Sequence, residues 1–226
     1  MLNKIFAFYK PKNAIVFTNT KDQVQKVVNY LNNNGINSLA IHGDLEQYQR
    51  NDVLIQFVNY SCCVLVATDL AARGLHIKEL SMVINYDLPH DLVTYTHRIG
   101  RTARAGQKGV AVTIYDNRYV DKLIEYENDD RIFSDIDTLN TNQKFTLQAP
   151  NVTLVIEAGK KDKLRAGDIL GALTVDNGLS SSQVGKISIY DRQSYVAIDR
   201  NAIDKAYSLI KNDKIKGRKF STWILK

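Results

Sequence analysis

Residues 14–35 read Ala-Ile-Val-Phe-Thr-Asn-Thr-Lys-Asp-Gln-Val-Gln-Lys-Val-Val-Asn-Tyr-Leu-Asn-Asn-Asn-Gly. Ala14–Phe17 is an unbroken apolar run of strand length, which reads as a buried strand. Thr20 and Gln23 form a Thr-x-x-Gln capping box at a helix start. Val24, Val27, Val28 and Leu31 then recur at helical spacing and give that helix an apolar stripe. Gly35 ends it. A strand, a capped helix and a second apolar run at Ser38–Ile41 are the parts of an α/β fold.

The pattern continues outward from this stretch. Residues 45–58 read as a helix with Val53, Leu54, Phe57 and Val58 facing inward. Val64–Ala67, Met82–Asn85 and Val110–Tyr115 read as further strands. Strands separated by helix-length segments imply crossovers and a parallel sheet. In such sheets ligands gather beyond the carboxyl ends of the strands. Residues 116–136 read as helix and irregular connection. The polar, weakly patterned stretch 137–150 is expected to be a linker. Beyond it, Val152–Ile156, Lys186–Tyr190, Tyr195–Ile198 and Phe220–Leu225 read as strands. Asp168–Leu173 and Ala202–Ile210 read as helices. That β-α-β-β-α-β order is the ferredoxin-like arrangement used by RNA-recognition-motif domains. The expected division is therefore 1–136, a linker at 137–150, and a small domain at 151–226.

Composition narrows the function classes. The chain has 226 residues, 44% of them apolar, and a net charge of +6. No apolar run approaches the ~18 residues of a membrane span. Cys62 and Cys63 are neighbours, where a bridge is strained, so thiols in a reducing, cytoplasmic setting are expected. The four histidines lack metal-ligand spacing, and no metal site is expected. Residues 1–149 hold 16 basic and 16 acidic side chains, whereas residues 150–226 hold 14 and 8. All the excess charge sits in the last third, which points that part toward a polyanion. There Lys160, Lys161, Lys163 and Arg165 form one basic cluster, and Lys214, Lys216, Arg218 and Lys219 another. The usual aromatic stacking face is poor: the first strand has no aromatic residue and the third has only Tyr195.

The most chemically telling segment is His97–Gly106, His-Arg-Ile-Gly-Arg-Thr-Ala-Arg-Ala-Gly. Arg98, Arg101 and Arg104 repel one another unless an anion sits among them, and a planar guanidinium is well matched to phosphate oxygens. A helix is expected from about Asp91 to Arg101, with Arg104 on a turn beyond it. Arg98 is expected to point elsewhere and pair with a carboxylate.

Taken in order, Ala14–Thr20, His42-Gly43-Asp44, Gln47 with Arg50, Val64–Gly74 and His97–Gly106 resemble the motifs of the second RecA-like lobe of DEAD-box RNA helicases. The tail resembles the RNA-binding domain of the DbpA subfamily, through Glu157–Leu173 and Lys214–Leu225. The resemblance implies that Arg101 and Arg104 reach the ATP phosphates. It implies that His97 couples this motif to the partner lobe, and that Gly43, Arg50, Thr68 and Gly74 touch the RNA backbone. With the stacking face poor, recognition is expected to shift toward the two basic clusters, with Tyr195 as the remaining aromatic candidate, and the resemblance implies a structured RNA target, a hairpin of 23S ribosomal RNA. One position departs from the family: His76 stands where an aspartate meets the nucleotide ribose. The sequence holds no Gly-x-x-x-x-Gly-Lys-Thr loop, no Asp-Glu-Ala-Asp and no Ser-Ala-Thr. In the family these belong to the N-terminal lobe, which holds ATP and Mg2+. By itself this chain is therefore expected neither to bind ATP tightly nor to hydrolyse it. The alternative reading is a non-catalytic RNA-binding protein that occupies the same ribosomal site.

Overall fold

A computed structural model describes residues 1–72, 77, 80–102, 109–126, 132–139, 145–175 and 177–225. By contacts the chain divides into two compact units, 1–50 with 63–148 and 51–62 with 149–226.

The first unit opens on α1 (Leu2–Tyr9), which buries Leu2, Ile5 and Phe6. In chain order there follow β1 (Ala14–Thr18), α2 (Lys21–Asn33), β2 (Ser38–Ile41), α3 (Gln47–Val58, whose residues from 51 on count with the second unit), β3 (Val64–Thr68), α4 (Asp69–Ala72) and β4 (Met82–Asn85). They are followed by α5 (Leu92–Ile99), β5 (Val110–Thr113) and α6 (Val120–Glu125). Every pairing is parallel, in the order β2-β3-β1-β4-β5. β1 is buried along its whole length, as expected of a central strand covered on both faces. The Thr20 hydroxyl accepts from the Gln23 N–H at 3.2 Å, and α2 buries Val24, Val27, Val28 and Leu31. Gly35 adopts a left-handed φ of 76° after the helix, a conformation open to glycine without strain.

One helix face differs from the sequence expectation. In α3, Gln56 and Phe57 are buried while Val58 is exposed. The Gln56 carbonyl accepts from the Ser61 N–H at 2.8 Å, so the chain turns back directly after the helix.

The second unit contains β6 (Asn151–Ile156), α7 (Ala166–Thr174), β7 (Val184–Ile189), β8 (Ser194–Asp199), α8 (Ile203–Asn212) and β9 (Thr222–Ile224). Its antiparallel sheet runs β7-β8-β6-β9, the ferredoxin-like order. Leu154, Ile156, Val196 and Ile198 alternate toward α7 and α8, whose Ile169, Leu173, Ala206 and Ile210 complete the core. Thr153, Val155, Tyr195 and Ala197 alternate to the other face and are also buried. On that side Thr153 Oγ1 accepts from Asn59 Nδ2 at 3.1 Å and lies 2.8 Å from Ser61 Oγ.

Candidate functional sites

In the first unit the site grows from the carboxyl ends of β1, β3 and β4. These ends deliver Asn19, Asp69 and Asp87 to one edge. β1 lies between β3 and β4 although β2 follows it in sequence, so this edge is the point where strand order reverses and a crevice forms. Helix α5 begins beside it. The Asp91 carboxylate accepts from the Thr94 N–H at 2.7 Å, a side-chain N-cap that holds the Asp91 carboxyl below the usual carboxylate range.

Arg98, in the last turn of α5, is 1% exposed and is the centre of this edge. Its Nε and one Nη reach the two Asp69 carboxylate oxygens, each at 2.7 Å. That second Nη also donates to Asn19 Oδ1 at 2.9 Å. The other donates to the Asp87 carbonyl at 2.7 Å and to Asn85 Oδ1 at 3.3 Å. All five guanidinium N–H groups are thus used, and the Phe17 ring lies 5.1 Å from the guanidinium carbon. The sequence expectation of a carboxylate partner for Arg98 is met by Asp69.

The neighbours of Arg98 behave differently. His97 is exposed and Arg101 is half-buried, one turn further on, with its N–H donating to the Arg98 carbonyl at 3.2 Å. Gly100 caps the helix; a Cβ there would sit 3.0 Å from the Thr96 carbonyl oxygen. Thr68 ends β3 and is half-buried. Gly43, two residues past the end of β2, follows the strand that pairs with β3, and a Cβ there would meet open space. The Arg50 guanidinium donates to the Ala71 carbonyl of α4. Gly43, Arg50 and Thr68 therefore share the carboxyl side of β2 and β3. Arg104, Gly74 and His76 lie outside the described residues.

In the second unit the two basic clusters meet, although about 50 residues separate them in sequence. Lys160 and Lys161 occupy a 3-10 turn between β6 and α7, Lys163 follows it, and Arg165 precedes α7. Lys216 Nζ donates to the Lys163 carbonyl at 3.2 Å and lies 3.4 Å from the Asp168 carboxylate. Arg218 lies 3.2 Å from the Asp162 carboxylate and stacks on Phe220 at 5.0 Å. Lys214 and Lys219 flank that segment and are exposed. Lys160 and Lys161 also line a cleft with Lys186, Tyr190, Arg192 and Tyr195. Lys186 and Arg192 went unread in the sequence, because each stands apart from any run of basic residues.

Tyr195, the lone aromatic residue of the third strand of this unit, has its ring covered. The residue is 7% exposed. Its hydroxyl lies 2.9 Å from Gln193 Oε1 and 3.4 Å from Asp52, and Tyr190 packs edge-on against the ring. Burial, then the Asp52 carboxylate, push the Tyr195 phenol up to about 12, and burial also raises the Asp52 carboxyl. The folded protein keeps the Tyr195 proton at a pH where the unfolded chain, with an ordinary phenol near 10, has lost it. Stability of this unit is therefore expected to fall between pH 10 and pH 12 and to level off above that. The fluorescence of Trp223, the single tryptophan, follows the unfolding, and Tyr195→Phe should flatten that part of the profile.

Residues 1–106 match the helicase conserved C-terminal domain family, and residues 153–223 match the DbpA RNA binding domain. The ATP-dependent RNA helicase DbpA of Escherichia coli is 40% identical over 227 residues, spanning 100% of this chain and 50% of that protein. The chain belongs to the DEAD-box family, in its DbpA type. The Bacillus subtilis DbpA is 32% identical over 241 residues, spanning 96% of this chain and 50% of its own length. The chain thus covers about half the length of these curated relatives. Among solved structures, the Escherichia coli DEAD-box protein SrmB, bound to the regulator RraA, superposes with a TM-score of 0.55 at 34% identity. That match covers 63% of this chain and 85% of that one. The C-terminal domain of the DEAD-box protein Dbp5 gives 0.52 at 34% identity, over 55% and 73%. The parallel sheet is therefore the RecA-like C-terminal lobe of a DEAD-box protein, and the antiparallel unit is its RNA-binding domain. Among the described residues no helix is long and apolar enough to cross a membrane.

Proposed function

We propose that this chain supplies the second RecA-like lobe and the RNA anchor of an ATP-dependent RNA helicase that acts in the cytoplasm on a hairpin of 23S ribosomal RNA during ribosome assembly. The observation that carries the reading is the five-bonded Arg98. It pins the end of α5 to the strand ends, and His97 and Arg101 stand beside it in the same segment. A helix held that firmly spends no reorganisation energy when a charge develops beside it.

In this reading a partner lobe delivers ATP with its Mg2+ to the edge. The ion travels with the nucleotide on that partner lobe. Arg101 and Arg104 donate to phosphate oxygens as the terminal phosphoryl group leaves, and His97 meets the partner lobe. His76 offers the ribose an imidazole where the family has a carboxylate. Gly43, Arg50, Thr68 and Gly74 hold the RNA backbone without reading bases, as phosphate contacts do. The basic loops of the second unit keep the protein on its RNA between turnovers.

The RNA arm is testable with the chain as it stands. The logarithm of affinity for 23S hairpins should fall linearly with the logarithm of salt concentration, by about 0.7–0.9 per phosphate neutralised. Lys160→Gln and Lys161→Gln should each lower that slope by about 1 while weakening all RNAs alike. Equal affinity for 23S hairpins and for unrelated RNA of the same length would remove the ribosomal assignment.

A further inference from the structure

The second unit brings two loops of like charge together, and like charges need a reason to stay close. The reason lies in two carboxylates. Asp162 accepts from the Gly159 N–H at 3.2 Å with one oxygen, and its other oxygen lies 3.2 Å from Arg218. Asp168 accepts from the Arg165 N–H at 2.8 Å, and the same oxygen lies 3.4 Å from Lys216. Each acid therefore closes the start of its own helix and also holds a cation of the other loop.

The second loop is shaped to receive them. Ile215 and Arg218 exchange backbone hydrogen bonds at 2.9 and 3.1 Å around Lys216 and Gly217. Both central residues have positive φ, 52° and 76°, the geometry of a tight two-residue hairpin turn. Glycine, asparagine and aspartate suit the first position of such a turn; lysine does not. Lys163, whose carbonyl Lys216 bonds, is also left-handed, with φ 59°. Two non-glycine residues in that conformation, tied to each other, are held there by their surroundings.

The 159–163 turn is fixed from its other side as well. The N–H groups of Lys160 and Lys161 donate to the carbonyls of Tyr190 and Asp191 at 2.8 and 3.0 Å. A Cβ on Gly159 would sit 2.2 Å from the Tyr190 carbonyl oxygen, so only glycine permits that approach. The turn between β7 and β8, the 159–163 turn and the 215–218 hairpin are thus joined in series.

We infer that Asp162 and Asp168 are positioning residues for RNA binding. They lock the 215–218 hairpin to the 159–165 segment, so that the two basic loops form one fixed surface. Lys216 and Arg218 are the struts of that surface, because their charge is already matched by carboxylates. Phosphate contact falls to Lys160, Lys161, Lys163, Arg165, Lys214 and Lys219, which make no ion pair among the described residues. This role rests on the RNA-binding reading above.

The sign of the effect separates positioning from charge. Asp162→Asn and Asp168→Asn each raise the net charge by one and keep an oxygen to accept the capping N–H. Charge alone then gives tighter binding to any polyanion. Positioning instead gives weaker binding to a fluorescent RNA stem–loop, about three- to tenfold for the double variant, since each exposed pair contributes modestly. Heparin, a polyanion of another shape, should bind as well as before or better. Lys216→Gln should weaken the stem–loop without changing the salt slope, whereas Lys160→Gln lowers the slope by about 1. Amide exchange at Ile215, read without RNA, should speed up in the double variant. Tighter stem–loop binding by the aspartate variants, or a slope lowered by Lys216→Gln, overturns the inference. A wild-type chain that binds neither stem–loop nor heparin overturns the RNA-binding reading first, and this role with it.

Discussion

Arg101→Ala, in a protein that joins this chain to an ATP-binding lobe such as that of a DbpA relative, is expected to lower RNA-stimulated ATP hydrolysis by about 10³-fold or more, the range of arginine fingers in other phosphoryl-transfer enzymes. The loss should fall on kcat, because the finger meets charge that develops only as the phosphoryl group leaves. RNA affinity should stay near the wild-type value, since the anchor lies in the other unit. Arg101→Lys should not restore turnover, because an ammonium lacks the planar pair of donors that fits two phosphate oxygens. The structural basis is the placement of Arg101 directly after the Gly100 cap, one turn past the buried, five-bonded Arg98. ATP turnover unchanged by Arg101→Ala would remove the finger role.

Arg98→Ala carries the largest expected cost to stability. The side chain is buried, and its five N–H groups serve Asp69, Asn19, Asn85 and the Asp87 carbonyl. Its removal leaves a carboxylate and two amides without their donor, and a cavity over Phe17. Breaking such a pair costs about 3–5 kcal/mol. Arg98→Lys should recover little, because three donors on a point charge cannot span four partners. The chain has two units, so a single transition is not assumed. Urea unfolding followed by far-ultraviolet circular dichroism should show an early transition in the variant. Trp223 fluorescence, which reports the second unit, should keep its midpoint. A variant whose dichroism midpoint matches wild type would show that Arg98 is dispensable to the fold.

The contrast between these two arginines shows how far sequence reading extends. They stand three residues apart in one motif. Local charge crowding marked both as phosphate candidates, and the motif order assigned Arg101 to the nucleotide. That Arg98 turns away to a carboxylate was also legible. Which carboxylate was not, since Asp69 is 29 residues away and only the parallel pairing of β1 with β3 and β4 brings it to the same edge. The face of α3 misled for a related reason. Val58 has the apolar character of a core residue, but the chain turns back at Ser61, and that return buries Gln56 instead. What covers the Tyr195 ring was not legible either, because strand alternation tells which face a side chain takes, not what covers that face.

The sequence by itself determined the elements: the capped α2 with its valine stripe, the run of buried parallel strands, the later antiparallel unit and the basic excess within it. Those are periodic or compositional signals, carried by residues within a turn or two of one another. The tertiary structure alone decided which cations point at solvent and which are spent on carboxylates. A charge 50 residues away exerts no influence along an extended chain in water, and becomes a partner only when folding brings it within a few ångströms.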